Sequence, residues 1–206
     1  MMKSNFKISL RICGVLLMVF GAFSFFSGIL FSSDKFSFNG EVPLSDVQDI
    51  IVDQDGFIYL GTQFYGMILC YNKEGEFINS WNVGANNAAF KMLISDDQKI
   101  HVVTISNNKR AIFSRTGTLL SQEVIPYIYI DSERAGKSAF FMRNRFVINE
   151  SIFNTKIIRI SELNSDKVII NQNIFYLILK APFPAILFVF IGVIINISLT
   201  ILERRQ

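Results

Sequence analysis

The sequence predicts an all-β domain of about three four-stranded antiparallel sheets, flanked by two transmembrane α-helices. Three observations lead to this architecture. Each end of the 206-residue chain carries a stretch of 20 residues without a charge, at 12–31 and 183–202. The region between them alternates short β-branched and aromatic runs with glycine-containing turns, which is typical of strands and hairpins. Part of that region also repeats itself after 42 residues.

The two apolar stretches have the length of membrane spans. A helix of about 20 residues extends roughly 30 Å, the thickness of the hydrocarbon core of a bilayer. The first stretch follows a positively charged start, as a signal peptide does. It is longer than the roughly 7–15 residues of a typical signal core, and no small-residue cleavage site follows it. We therefore expect an uncleaved anchor.

The net positive charge of the chain lies at its two ends. Residues 1–31 carry Lys3, Lys7 and Arg11 without an acid, and residues 203–206 carry two Arg against one Glu, whereas residues 32–182 carry 15 Lys or Arg against 16 Asp or Glu. Basic residues flanking spans remain in the cytoplasm. Both termini are therefore predicted to be cytoplasmic, and the basic pI is not that of a nucleic-acid-binding surface. We expect the lipid bilayer as a partner and no nucleic acid. The abundance of Phe, Ile, Asn and Lys favours a bacterial plasma membrane.

These patterns divide the chain into six segments. They are a cytoplasmic N-terminal tail at 1–11, a first transmembrane helix at 12–31, an extracytoplasmic β-repeat domain at 32–173, a juxtamembrane segment at 174–182, a second transmembrane helix at 183–202 and a cytoplasmic C-terminal tail at 203–206. Pro182 and Pro184 suit the start of the second helix, where a missing N–H costs nothing. The run IFYLIL at 174–179 is interpreted as a last strand or an interfacial helical turn.

The β-domain contains two similar copies of one unit. Residues 49–77 align without a gap on residues 91–119. Glycines follow polar residues between apolar runs, which predicts tight hairpin turns that need a positive φ and whose Asp side chains bond nearby amides. The turn residues are Asp53, Asp55, Gly56, Gly75 and Gly117. Strands are predicted near 47–52, 57–61, 66–71, 76–81, 90–95, 99–104, 109–114 and 118–124.

A third, looser copy follows the first two. Its strands are predicted at 138–142, 145–149, 156–161 and 167–171, without a register, because its turns lack the Asp-Gly pattern. The short run FSFN at 36–39 is interpreted as a lone strand.

The run VDQDGFIYLGTQFYGMILCYNKEGEFINSW at 52–81 resembles a repeat of the NHL and related six-bladed β-propeller type. Blades of that type resemble VDxDGxIYV followed by a strand, a polar turn with Gly and a last strand. The chain departs from the type at 63–66, where the family has an Asn-rich turn and an Arg. The resemblance implies a propeller-like domain that recognises partners through its loops and end faces.

Three blades are too few to close a ring within one chain, because propellers close with about four to eight blades. An open stack, a ring built by two chains and completion by a different partner all remain open. Uncovered blade faces expose apolar surface that proteins tend to cover. We therefore expect a homo-oligomer or an unidentified membrane partner.

Both predicted membrane helices carry small or polar residues on one face. These are Gly14, Gly21 and Gly28 on the first helix, and Gly192, Asn196 and Thr200 on the second. Small residues let membrane helices approach closely, and polar groups bond across the interface. The two faces are predicted to pair either within one chain or across a dimer. For Asn196, we expect helix association and not a transport role.

The sequence contains no pattern of a known catalytic or metal site. Asp53 opens a DxDG run like that of a calcium loop, but its twelfth position is Phe64 where a bidentate Glu is needed. The single histidine, His101, falls in a predicted strand, and Cys70 reads as a buried apolar residue. Cys13 lies in the first anchor, so a disulfide within the β-domain is excluded. No catalytic, metal-ligating or cofactor-binding residue and no cofactor are predicted.

The sequence therefore predicts a membrane-anchored, extracytoplasmic, propeller-like binding or assembly module without enzymatic activity. One alternative is an accessory subunit of a membrane transport or secretion complex. Another is a propeller-type sugar or lactone hydrolase, which would need converging carboxylates. We expect Asp53, Asp55, Asp96 and Asp97 to lie in separate hairpins instead.

Overall fold

The structure, a computed structural model, describes residues 4–32, 40–44, 46–85, 88–104, 108–125, 136–151, 154–161, 165–172 and 182–204. The chain forms two compact units. One contains the two terminal helices, and the other contains the strands. The predicted strand at 36–39 and the run at 174–179 lie outside the described residues.

The helical unit consists of α1 (Ser4–Ser32) and α2 (Pro182–Arg204). Within them, Asn5–Leu30 and Ala185–Arg204 are long and apolar enough to cross a membrane. α1 begins ahead of the predicted span, because no helix-breaking residue separates Ser4 from the apolar stretch. α2 begins at Pro182, where the fixed φ of proline suits a first helical turn. Two apolar helices flanking a β-domain are consistent with a two-pass membrane protein.

The strand unit contains three four-stranded antiparallel sheets, each with its strands in sequence order. The first sheet is β1 (Val47–Val52), β2 (Ile58–Thr62), β3 (Met67–Tyr71) and β4 (Phe77–Asn82). The second is β5 (Phe90–Ile94), β6 (Ile100–Thr104), β7 (Lys109–Phe113) and β8 (Leu119–Val124). The third is β9 (Ser138–Phe141), β10 (Asn144–Ser151), β11 (Asn154–Ser161) and β12 (Lys167–Asn171). The predicted fold class is confirmed.

Four hairpin turns in the first two sheets share one backbone geometry. In each, the residue two positions before the second strand has a positive φ: Gly56 at 87°, Gly75 at 89°, Gly117 at 87° and Gln98 at 61°. The N–H of that residue donates to the carbonyl three positions earlier, as from Gly56 to Asp53 at 3.0 Å. Three turns use glycine, which reaches this region without strain. The fourth uses Gln98, so the turn tolerates a side chain at some cost.

Side chains support the same turns from within. Oδ1 of Asp53 accepts hydrogen bonds from the N–H groups of Asp55 and Phe57, both at 2.9 Å. Asn72 and Ser114 cap the two later turns in the same way, with bonds to turn amides. The predicted turn chemistry of the Asp residues is therefore visible in the hydrogen bonds.

The first sheet lies between the other two, so the spatial order of the sheets is third, first, second. One of its faces packs on the third sheet and the other packs on the second. The core toward the third sheet includes Ile50, Ile58, Leu60, Leu69, Tyr71, Phe146, Ile148, Ile157 and Ile170. The core toward the second includes Tyr59, Ile68, Cys70, Trp81, Phe90, Met92, Ile100, Val102 and Phe113.

Asp49 joins all three sheets at their first strands. Its Oδ1 accepts hydrogen bonds from the N–H groups of Gly136, just before β9, at 2.8 Å and of Ile50 at 3.0 Å. Its Oδ2 accepts one from Met92 N–H of β5 at 2.7 Å. Burial raises the pKa of this carboxyl to about 6, although the three N–H donors counteract part of that rise. A buried carboxyl group, hydrogen-bonded on both oxygens, thus holds the three sheets together.

Candidate functional site

Three of the predicted helix-packing glycines, Gly14, Gly21 and Gly192, lie where α1 and α2 meet. Gly14, Gly21 and Gly28 are buried on α1, and Gly192 is buried on α2. A Cβ placed on Gly21 would lie 2.5 Å from the carbonyl oxygen of Ala185, and one on Gly14 would clash with the side chain of Asn196. The two backbones therefore touch within one chain, and a larger side chain would separate them.

Asn196 and Thr200 bond within their own helix. Asn196 Nδ2 donates to Gly192 O at 2.9 Å, and the Thr200 hydroxyl donates to Asn196 O at 2.9 Å. With Ile197, Ile201 and Arg204 they also line an open groove of about 350 Å³. The polar link between the helices comes from Arg11, which donates to Glu203 at 2.8 Å and to Thr200 at 3.5 Å. Sequence reasoning missed this pair, although its opposite charges sit at the matching ends of the spans.

A buried ion pair connects the first and second sheets. Arg115, in the β7–β8 turn, places Nη2 at 2.6 Å from Asp53 Oδ2 and Nη1 at 2.6 Å from Asp55 Oδ2. The Tyr59 hydroxyl donates to Asp53 Oδ2 at 3.0 Å. The Asp53 side chain is 0% exposed. Because burial disfavours phenolate beside this carboxylate, the pKa of Tyr59 is raised above its usual range.

This cluster uses up the hydrogen-bonding capacity of Asp53. Both of its oxygens accept bonds from neighbours in the fold. Asp97 lies in the separate β5–β6 turn and bonds to Ser95 at 2.5 Å and Lys99 at 2.6 Å, of which the Lys99 contact is the main cause that lowers its pKa to about 2. These carboxylates stabilise separate hairpins, and Asp96 occupies the same turn as Asp97.

Other candidate groups also have places within the sheets. His101 lies on β6 with its side chain half-buried. Cys70 is buried between the first and second sheets, and burial raises the pKa of its thiol to about 12. Among the described residues, no group of three or more His, Cys, Asp or Glu could hold a metal ion.

Asp46, before β1, is a half-buried acid that sequence reasoning did not single out. Its Oδ2 accepts a hydrogen bond from Phe64 N–H, whereas Oδ1 is enclosed without a hydrogen-bond partner. Burial is the main cause that raises its pKa to about 7, and the nearby Glu150 raises it further.

The stack ends in two sheet faces that no other described strand covers, and the two differ in chemistry. The outer face of the second sheet corresponds, 42 residues later, to the face of the first sheet that carries Tyr59, Ile68 and Trp81. In the second sheet these positions hold His101, Arg110 and Glu123, and the last two form an ion pair. This face is polar.

The outer face of the third sheet is apolar at its centre. Register and burial place on it Phe140, Val147, Ile158, Ile160 and Val168, opposite the side that packs on the first sheet. Phe140 is 72% exposed and Val168 is 45% exposed. We call this surface, together with Arg145 and Lys156 of the same side, the sheet-3 face. It is the candidate functional site.

Two cations accompany this apolar centre. Arg145 pairs across the strands with Phe140 and Ile160, and its guanidinium lies 5.6 Å from the centre of the Phe140 ring. Lys156 pairs with Asn149 and Asn171 on the same side of the sheet. Within the described residues, neither cation forms an ion pair, and the strands place no acid on this side. The sheet-3 face therefore combines apolar surface with positive charge.

Comparisons with solved structures find similarities at low TM-scores. No protein-family model matches the chain, and no curated protein matches it in sequence. Its fold is similar to that of a streptogramin B lyase, with 16% identity and a TM-score of 0.38, covering 67% of this chain and 45% of the lyase. A virginiamycin B lyase from Staphylococcus aureus has 18% identity and a TM-score of 0.38. The match covers 67% of this chain and 45% of that lyase. A putative exported protein from Bacteroides fragilis has 11% identity and a TM-score of 0.33. The match covers 67% of this chain and 42% of the exported protein.

The chain thus spans less than half the length of each of these proteins. Three blade-like sheets fit a propeller-type arrangement, and the narrower resemblance to NHL repeats stays a prediction. The lyase activity named for two of them is a property of those proteins.

Proposed function

We propose that this protein is a membrane-anchored binding module and that the sheet-3 face is its docking surface. One observation carries the proposal: an uncovered sheet face has an apolar centre of five side chains, whereas the opposite end of the same stack holds His101, Arg110 and Glu123 at the positions of Tyr59, Ile68 and Trp81. In stacked repeats, a polar outer face marks an end that stays in water. An apolar outer face marks an end that another surface covers.

The proposed setting is a bacterial plasma membrane, with both termini in the cytoplasm and the β-unit outside. The two apolar helices and the basic residues beside them support this orientation. A membrane-impermeant maleimide tests it in intact cells. A cysteine at the exposed Glu74 should react, and one at Gln206 should not. Reaction at Gln206 alone would reverse the topology.

The proposed role is non-enzymatic, and the use of the buried carboxylates supports it. Asp53 and Asp49 are bonded on both oxygens to groups of the fold. A binding role also includes that of an accessory subunit in a transport or secretion complex, in which the docking partner is the larger membrane assembly. The NHL-type resemblance is compatible with binding but names no ligand.

Site-specific photo-crosslinking tests the docking surface. A benzophenone amino acid replaces Phe140 or Val147 on the sheet-3 face in the full chain, expressed in its native membrane. The matched positions are Leu93 and Val103, which register and burial place on the outer face of the second sheet. We expect protein adducts from positions 140 and 147 and at least tenfold less from 93 and 103. Equal yields from both faces, or none from either, would refute the proposal.

A further inference from the structure

We infer that the sheet-3 face binds an acidic β-sheet of a different protein, and not a second copy of this chain. The inference rests on the proposed function, since it names the partner of the same surface.

The charge of the sheet-3 face selects an acidic partner. Arg145 and Lys156 flank the apolar centre and have no carboxylate partner among the described residues. By contrast, Lys73, Lys99, Arg110, Arg115 and Lys137 of the same unit each pair with an Asp or Glu. Covering an unpaired cation with a neutral surface leaves it desolvated, whereas a carboxylate compensates that cost.

Within this chain, the basic third sheet packs against the acidic first sheet. In the third sheet, the described residues of 136–172 carry six Lys or Arg against two Asp or Glu. In the first sheet, residues 46–82 carry six Asp or Glu against one Lys. The acidic sheet lies between the two others, and Arg115 of the second sheet binds two of its carboxylates directly. A further acidic sheet on the sheet-3 face would continue this alternation.

A second copy of this chain offers no such surface. Both faces of its acidic first sheet are already covered by the other two sheets. Its second sheet presents Lys91, His101, Leu93 and Val103 on the open side together with Glu123, which is already paired with Arg110. Closing a ring of two chains would bring these groups against Arg145 and Lys156.

Symmetric pairing of two sheet-3 faces is also unfavourable, because an isologous interface pairs this surface with itself and the described strands place no acid on it. Four cations, Arg145 and Lys156 from each copy, would then share one interface without a carboxylate from either face. Like charges brought together across an interface cost several kcal/mol and disfavour the pairing. The homo-oligomer predicted from the sequence stays a prediction, and the experiment below tests it directly.

The shape of the surface indicates a sheet as its occupant. Five apolar side chains are spread over four adjacent strands, β9 to β12. Such a surface is complementary to another pleated sheet, packed face to face at about 10 Å. The two interfaces within the stack are of this kind.

The experiment crosslinks at Val147 in the full chain and varies only the two cations. Two versions carrying different tags are expressed together in the native membrane. We expect an adduct that lacks the second tag and whose crosslinked peptide contains Asp or Glu among apolar residues. Arg145→Glu with Lys156→Glu should lower its yield at least tenfold. Arg145→Lys with Lys156→Arg should keep it within about twofold, because the charge is preserved.

The outcomes separate this inference from the proposed function. An adduct that contains both tags, or a yield unchanged by charge reversal, would overturn the acidic partner while leaving the docking surface intact. An adduct to phospholipid only, recognised by its mass, would overturn the protein partner. No adduct from either Val147 or Phe140 would overturn the docking surface itself. The photo-crosslinker at Lys109, the first residue of β7 in the second sheet, gives the background yield.

Discussion

The main-chain N–H of Leu44 donates a 2.7 Å hydrogen bond to Oε1 of Gln172, a residue 128 positions further along the chain. The amide nitrogen of Gln172 donates in turn to Val42 O at 2.8 Å and to Glu41 at 3.0 Å. One buried side chain thus ties the beginning of the β-unit to its end.

This tie makes a first prediction. Gln172→Ala would leave the buried N–H of Leu44 and O of Val42 without partners, and unsatisfied buried groups cost about 1–3 kcal/mol each. We expect the free energy of unfolding to fall by about 2–4 kcal/mol, measured by urea denaturation of the detergent-solubilised full chain with Trp81 fluorescence. The exposed Gln122→Ala is the control and should change it by less than about 0.5 kcal/mol. Equal effects of both variants would contradict the prediction.

The ion pair of Arg115 makes a second prediction. Arg115→Ala leaves the buried Asp53 with three hydrogen bonds but no counter-charge, and breaking a buried pair costs about 3–5 kcal/mol. Since the remaining donors still support Asp53, we expect a loss of about 2–4 kcal/mol in the same denaturation assay. Arg110→Ala removes an exposed pair with Glu123 and should cost less than about 1 kcal/mol. A comparable loss in both variants would show that Arg115 contributes no more than a surface residue.

The raised pKa of Asp46 predicts how stability depends on pH. An unfolded Asp titrates near pH 4, whereas the folded pKa of Asp46 is about 7 and that of Asp49 about 6. Between these values the folded state holds protons that the unfolded state has released. Stability should therefore be highest near pH 4 to 5, fall as the pH rises to about 7, and level off above it.

Asp46→Asn tests this assignment. Asparagine keeps an acceptor for the Phe64 N–H but does not ionise, so the fall in stability between pH 5 and 7.5 should shrink by about 1–3 kcal/mol. Denaturation at a series of pH values measures it. A variant with the pH profile of the parent protein would assign the dependence to other groups.

Two turn residues with a positive φ predict stabilising substitutions. Gln98 has φ 61° and Met142 has φ 53°, a region that costs ordinary side chains roughly 1 kcal/mol. Gln98→Gly and Met142→Gly should each raise the melting temperature, with a gain of about 0.5–1 kcal/mol. Gly117→Ala is the converse control, because its Cβ would lie 2.5 Å from the Trp81 ring. A loss of stability in both glycine variants would contradict the strain argument.

The close contact between α1 and α2 predicts that a larger side chain at position 14 destabilises the helix pair. Gly14→Leu would force α1 from Asn196 and Gly192 and should destabilise the helix pair by about 1–3 kcal/mol through overpacking. Thermal loss of the helical circular dichroism in micelles measures the effect. Val15→Leu, on the exposed side of α1, should have little effect. Equal midpoints for the two variants would mean that the helices do not associate through Gly14.

Most strands could be predicted from the sequence because their signals are local. Strand periodicity and the Asp-Gly turns involve residues only a few positions apart, and the 42-residue repeat aligns the first two sheets. The third sheet lacked the turn pattern at Met142, so its strands were predicted but not their register. The extension of β10 and β11 to eight residues each also follows from mutual pairing and not from composition.

The bonds that organise the site were beyond sequence reasoning. Asp53 was predicted as a turn residue, and it is one, but its partner Arg115 lies 62 positions later in another sheet. Gln172 carries no local pattern that distinguishes it from a surface residue. The charges of Arg145 and Lys156 were visible, yet only the register shows that they share one side with Phe140 and Val147.

The sequence by itself determined that two apolar helices precede and follow, along the chain, a strand-rich domain built from repeated four-stranded units. Periodicity, turn chemistry and the absence of charge in the spans act over a few residues, so they can be read along the chain. Only the tertiary structure decided that the first sheet lies in the middle, and that one end of the stack carries an ion pair while the other carries two cations around an apolar centre. Which sheet faces pack together depends on the shape and charge of side chains that are far apart in sequence. These side chains come into contact only in the folded protein, so their fit does not appear as a local pattern along the chain.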